Sequence, residues 1–350
     1  MPSVASVAKI EFPHAVAQGI VKDYVQQMFA DDFPLVERLI DAFDNTEIIS
    51  RNFCKPLDYY STNYNFEQRN KEYIRVALAY SIEAITQALR NADITKEDIT
   101  DFIFVSSTGL ATPSLDALII NEMHLDPHIS RIPIWGLGCC GGVSGVAKAN
   151  LIATAKPDAV VLIVAVELCS LTFMKNDFTK SNFIASSLFS DGFAAVIITG
   201  DSFKKKNNIR ILDSYSTLYY DTLDIMGWDF LDTGFKVIFS KDIPTFIHEN
   251  IKTEVLAFLA KHGLGLDDIK NFIFHPGGKK VLSAYEDSLK VEGDFLKNTR
   301  ETMNAYGNMS SATVLYVLEK FMREGYSEGY GLMLAMGPGF SSEMVLLDMK

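Results

Sequence analysis

The sequence predicts a layered α/β protein built from two duplicated halves, and three observations carry that prediction. Apolar runs of strand length alternate with amphipathic stretches of helical period along most of the chain. The segment DITDFIFVSST (98–108) returns as DIKNFIFHPGG (268–278), with the two FIF runs 170 residues apart. The small-residue turns GLGCCGG (136–142) and YGNMSSA (306–312) return at almost the same interval, since Cys139 and Asn308 lie 169 residues apart. A period this long is not that of a solenoid unit. Two coincident offsets point instead to two copies of one α/β domain packed together. The halves are expected at 1–205, carrying Cys139, and 206–350, carrying His275 and Asn308.

Each element follows from its local pattern. Residues 14–45 read as mainly helical, with helical spacing in IVKDYVQQMF and FPLVERLIDAF. Residues 46–73 are polar and aromatic without a period, and an amphipathic helix over 73–92 leads to the first FIF strand. A turn at Thr112-Pro113-Ser114 opens a helix near 114–124, and IPIWGLG (132–138) reads as a buried strand. CCGGVSGVAKANLIATA (139–155) reads as a tight turn into a buried helix, AVVLIVAVEL (159–168) as a central strand, and LFSDGFAAVIITG (188–200) as a turn and a strand. The second half begins near NIRILDSYST (208–217) and continues through a helix at 248–263, the strand NFIFH (271–275), the turn YGNMSSA, a helix at 310–324, and strands at 331–337 and 343–349.

Composition narrows the function. With 32 basic and 44 acidic residues the net charge is −12, which argues against broad binding to nucleic acid or anionic membranes. The longest strongly apolar run, 159–166, is too short to span a bilayer, and the N-terminus lacks a signal-peptide core, so a cytoplasmic protein is expected. Cys54, Cys139, Cys140 and Cys169 show no zinc-type spacing; a structural metal is not expected, and in a reducing compartment all four are free thiols.

Three residues carry candidate chemistry. Cys139 lies where a strand turns into a helix, where unpaired N–H groups and the helix dipole favour a thiolate, and glycines at 136, 138, 141 and 142 allow close approach. The alternative is a small buried residue, the reading preferred for Cys140. His275 ends an apolar strand before Pro-Gly-Gly, where α/β folds place ligands; the alternative is a hydrogen-bonded structural histidine, preferred for the other five. Asn308 sits in a small-residue turn, where the alternative is a helix N-cap. A thiolate nucleophile, a base or donor, and an oxyanion-steadying amide suit thioester chemistry. HPGGKK is no P-loop, and acidic pairs such as Asp267-Asp268 read as solvated faces.

These motifs resemble the type III polyketide synthases related to chalcone synthase: a cysteine in a glycine-rich turn, a histidine in HPGG and an asparagine in GNMSSA, in that order. The resemblance runs from about residue 70 to the end, and WGLGC looks like the bacterial branch. It implies a homodimeric, thiolase-like αβαβα enzyme with catalytic Cys139, His275 and Asn308, acyl-CoA and malonyl-CoA as substrates, and no cofactor or metal. LFSDGFAAVI resembles the family segment that places a gatekeeper phenylalanine at Phe189, and AMGPG (335–339) the loop that puts Gly337 and Pro338 on the cyclisation cavity. Ser107, Cys169, Thr172 and Val237 fall at cavity positions and are mostly small, implying room for a long starter. Thr112 stands where plant members put a methionine across the dimer interface, and Arg51 and Lys55 are the candidates for the CoA phosphates. The implied product is an alkylpyrone or resorcinol. The rival readings are a ketoacyl-acyl-carrier-protein synthase III making one condensation, a non-catalytic thiolase-like scaffold, and a cysteine hydrolase.

Overall fold

The structure, a computed structural model, describes residues 1–30, 36–203 and 208–350. Nine strands hydrogen-bond in the order 269–274, 329–337, 341–349, 209–218, 3–9, 191–199, 160–168, 101–105, 130–134. The seam is the pairing of Ser3 with Arg210. Outward from it, both sides follow one pattern. Strand 3–9 runs antiparallel to 191–199, that strand antiparallel to 160–168, and 160–168 parallel to 101–105. Strand 209–218 runs antiparallel to 341–349, that strand antiparallel to 329–337, and 329–337 parallel to 269–274. The duplication seen in the two FIF segments is therefore a duplication of strand topology. The expected division at 205/206 lies outside the described residues.

Burial sorts the elements into five layers. Strand Val160–Leu168 is buried along its whole length, so both of its faces are apolar. Val161, Ile163 and Ala165 pack into one core with Val143 and Val146 of helix Gly141–Ala155 and Val314 and Leu318 of helix Thr313–Glu324. Val160, Leu162, Val164 and Val166 pack into a second core under helix Phe66–Ala92. Ile273, Met333, Val345 and Leu347 close the central core from the other half, while helices Ile243–Ala260 and Lys279–Leu289 cover the remaining face. The result is the αβαβα thiolase-like architecture, with two helices sandwiched in the middle.

The structure revises parts of the sequence reading. The run expected as a buried strand at 132–138 is the edge strand Ser130–Ile134, largely exposed or half-buried in the single chain. Pro133, which has no N–H for a ladder, fits an edge. The region 14–45 begins with strand His14–Ala17, paired with Ser50–Phe53, before helix Gln18–Phe29; residues 31–35 of that region lie outside the described residues. Helix Phe66–Ala92 starts a full two turns before Tyr73 because Asn65 and Gln68 form a reciprocal capping box.

Candidate active site

Cys139 is the middle residue of the single turn Gly138–Cys140 that feeds helix Gly141–Ala155. Two glycines make the approach of the second half possible. A Cβ on Gly142 would sit 2.2 Å from the backbone oxygen of Ser311, and one on Gly138 (φ +48°) would sit 2.6 Å from the Pro338 ring. The Cys139 thiol therefore meets the turn after Asn308 directly, its Sγ 3.7 Å from Ser310 Oγ.

Asn308 is held by its backbone and its side chain together. Its N–H donates to Leu188 O (2.9 Å) and its carbonyl accepts from Ser190 N–H (2.8 Å), bracketing Phe189. Its Oδ1 accepts from Ser310 N–H (2.8 Å) and its Nδ2 donates to Gly277 O (3.1 Å). Gly277 lies two residues beyond His275, which follows strand Ile269–Phe274 and donates its own N–H to Leu334 O (2.8 Å). A continuous path thus runs from Cys139 through Ser310 and Asn308 to the His275 loop. The His275 ring is buried, and among the described residues neither ring nitrogen has a hydrogen-bond partner. A buried polar group left unsatisfied is costly, so this imidazole is set for a ligand or a proton.

Burial governs the electrostatics. It pushes the Cys139 thiol up to about 12, despite the Ser310 hydrogen bond, and the His275 imidazole down to about 3. The helix N-terminus alone therefore does not give the thiolate that the sequence suggests.

Glu167 escaped the sequence reading. It is the one acidic residue in the strand Val160–Leu168 and is fully buried. It accepts from Ser311 Oγ (2.5 Å), Thr108 Oγ1 (2.9 Å) and Ser107 N–H (3.1 Å). Desolvation pushes it up to about 7 against those hydrogen bonds. It ties the Asn308 turn to the loop whose Ser107 Oγ accepts from Gly138 N–H (3.0 Å). The lone glutamate in AVVLIVAVEL was the available signal.

Phe189, Cys169, Thr172 and Val237 share the wall of one mainly apolar cavity of about 70 Å³, which extends to Val21, Val25 and Met28. Ser107 instead serves the network around Cys139, its carbonyl accepting from Trp228 Nε1 (2.9 Å). Gly337 packs on Leu137 O and Cys140, and Pro338 on Gly138, so both brace the cysteine turn. Thr112 is exposed on the loop before helix Leu115–Met123. Arg51 departs from its expected place. It is 2 % exposed, lies near the Phe43 and Phe53 rings, and donates to Gln18 Oε1 (2.8 Å), Ser186 O (2.6 Å) and Phe189 O (2.8 Å). It offers no surface to a phosphate and instead anchors the backbone of Phe189. Lys55 pairs with Glu72.

Residues 46–202 match the N-terminal domain of chalcone and stilbene synthases, and residues 215–349 match the C-terminal domain. The chain belongs to the chalcone and stilbene synthase family. A chalcone synthase homologue of Bacillus subtilis is 44 % identical over 345 residues, 95 % of this chain and 94 % of that one. The 1,3,6,8-tetrahydroxynaphthalene synthase of Streptomyces peucetius is 35 % identical over 99 % of this chain and 92 % of its own. The crystal structure of the Streptomyces coelicolor enzyme of that name superposes with a TM-score of 0.94 at 30 % identity, covering 99 % of both chains. The protein is thus a type III polyketide synthase, a decarboxylating acyltransferase that uses malonyl-CoA and needs no cofactor beyond its CoA thioester substrates. That assignment sets aside the carrier-protein, scaffold and hydrolase readings. Among the described residues no helix is long and apolar enough to cross a membrane.

Proposed function

We propose that Cys139 takes an acyl starter from CoA, and that His275 and Asn308 drive its extension by malonyl-CoA to an alkylpyrone or resorcinol. The observation that carries the reading is the buried, unpartnered His275 imidazole, two residues before Gly277, whose carbonyl ends the hydrogen-bonded path from the Cys139 thiol through Ser310 and the Asn308 amide. In loading, the thiol proton passes to His275, sulfur attacks the acyl carbonyl, and CoA leaves as its thiol when the proton returns. In extension, His275 in its protonated or N–H form and the second N–H of Asn308 donate to the malonyl thioester oxygen. Loss of CO2 then leaves an enolate, which attacks the acyl-cysteine carbonyl, so that the carbon–sulfur bond breaks, the Cys139 thiolate leaves and the lengthened chain remains on CoA. Phe189, fixed between two backbone bonds to Asn308, keeps water from that centre. The small apolar wall around Cys169, Thr172 and Val237 favours an aliphatic starter. Relatives named for tetrahydroxynaphthalene and phloroglucinol synthesis, at 35 % and 30 % identity, support an aromatic or pyrone ring as the end point.

The same reading takes the chain as a cytoplasmic homodimer of two thiolase-like halves, 1–205 and 206–350. Trp135, 44 % exposed beside the edge strand, and the exposed Thr112 loop give a second copy an apolar face to cover. Sedimentation of the wild type at twice the chain mass, shifting to one chain mass in Trp135→Asp, is the expected result.

The deciding experiment is intact-mass measurement after incubation with a fatty acyl-CoA, alongside 14CO2 release from malonyl-CoA. Cys139→Ala is expected to gain no acyl mass. Asn308→Ala is expected to load normally while CO2 release falls about 10²- to 10³-fold, the usual cost of one oxyanion donor. Acyl mass on Cys139→Ala would show that another thiol is the nucleophile.

A further inference from the structure

A second cavity, of about 430 Å³, opens on the other side of the wall made by Tyr60, Ser170 and Phe173, which also line the inner cavity. That wall contains a directed chain of hydroxyl groups. Asp191 is fully buried and its carboxyl receives three donors: Cys54 N–H (2.7 Å), Ser170 N–H (2.8 Å) and Ser170 Oγ (2.6 Å). Two of these are backbone N–H groups that can only donate, which favours the carboxylate form. With the Ser170 proton on Asp191, Ser170 Oγ accepts from the Tyr60 hydroxyl at 2.7 Å, and Cys54 Sγ, a weak donor, lies 3.6 Å from it. The Tyr60 proton is committed in turn. What Tyr60 Oη retains is a lone pair, polarised by the chain behind it. Its other polar contact is Cys54 Sγ at 3.8 Å, a weak donor. The charged and titratable groups around Asp191 are Arg51, Cys54, Tyr60 and Cys169. Asp191 is raised to about 6 by burial and remains ionised at pH 8.

We propose that Tyr60 is a specificity-determining residue that accepts a hydrogen bond from an enolic or phenolic hydroxyl of the extended chain. The ligand class follows from polarity. A keto or ether oxygen has no proton to offer Tyr60, whereas an enol or phenol does. Such an anchor favours chains that have enolised and holds them at the boundary of the two cavities. The inference rests on the polyketide reading above for the nature of the chain, and its test does not require turnover.

The test is binding at pH 8 of a 5-alkylresorcinol and of its dimethyl ether, followed by fluorescence of Trp228, which lines the inner cavity. The wild type is expected to prefer the resorcinol at least tenfold. Tyr60→Phe keeps the ring and the cavity, and is expected to erase the preference by weakening the resorcinol alone. Ser170→Ala, which leaves Tyr60 in place but frees its proton, is expected to reduce the preference and let the ether bind. Equal binding of both ligands to the wild type, or a preference that survives in Tyr60→Phe, overturns the assignment. A wild type that shows the preference yet releases no CO2 from malonyl-CoA would instead sink the catalytic reading.

Discussion

At the scale of single residues, the site poses a charge problem that neither group solves alone. Burial holds Cys139 near 12 and His275 near 3, so each by itself is neutral at pH 7. The thiolate is the nucleophile, and its population depends on what imidazole offers. Removing the imidazole leaves only the helix N-terminus and Ser310 to stabilise sulfur's charge, and burial outweighs both. His275→Gln is therefore expected to slow iodoacetamide alkylation of Cys139 at pH 7 at least tenfold, read by peptide mass spectrometry so that Cys54, Cys140 and Cys169 are counted separately. An unchanged rate would mean that the histidine does not control the thiol.

At the scale of elements, reactive geometry depends on how closely helix Gly141–Ala155 approaches the turn Ser310–Ala312. Gly142 permits the contact, because any side chain there meets backbone, which cannot rotate away. Gly142→Ala is expected to cost about 1–3 kcal/mol in urea denaturation and to lower acyl loading, since the cysteine turn and the Asn308 turn are pushed apart. Normal loading with full stability would show that the two turns tolerate separation. The same contact explains what could be read from the sequence. That the turns of Cys139 and Asn308 meet beside the His275 loop was legible because each sits in a local motif, and the motifs recur at nearly one offset. The central strands and helix Gly141–Ala155 were legible because they are mainly apolar or small, and helix Thr313–Glu324 because its apolar residues keep a helical period. Glu167 was not, because its meaning lies in Ser107, Thr108 and Ser311, which come from two other elements. Arg51 misled because a cation in a polar stretch reads as solvent-facing, while its aromatic neighbours Phe43 and Phe53 fold over it. The edge strand misled because an apolar run gives no sign of which side its neighbours occupy.

At the scale of the whole molecule, two carboxyls buried at the centre set a pH dependence of stability. Glu167 rises from an ordinary 4.5 to about 7, and Asp191 from 3.8 to about 6, both chiefly through desolvation. Between each ordinary value and its raised one, the folded chain binds more protons than the unfolded chain. Stability therefore falls as pH climbs through that window, the opposite of a salt-bridged carboxylate. For Glu167 the window is roughly pH 4.5 to 7, and a shift of this size corresponds to roughly 3 kcal/mol across it. Such a term is a sizeable part of the net stability of a folded domain. Glu167→Gln removes the titration. It also turns an amide N–H toward donors that the carboxylate accepted, so the variant is less stable overall at every pH. The discriminating quantity is the slope. The difference in unfolding free energy between wild type and Glu167→Gln, measured by urea at pH 5, 6 and 7, is expected to shrink steadily as pH rises, because only the wild type carries the cost of ionising a buried carboxyl. A difference that stays constant across those three points would place the Glu167 proton equilibrium outside this range, and would leave the clamp between the two halves as a neutral hydrogen-bonded knot.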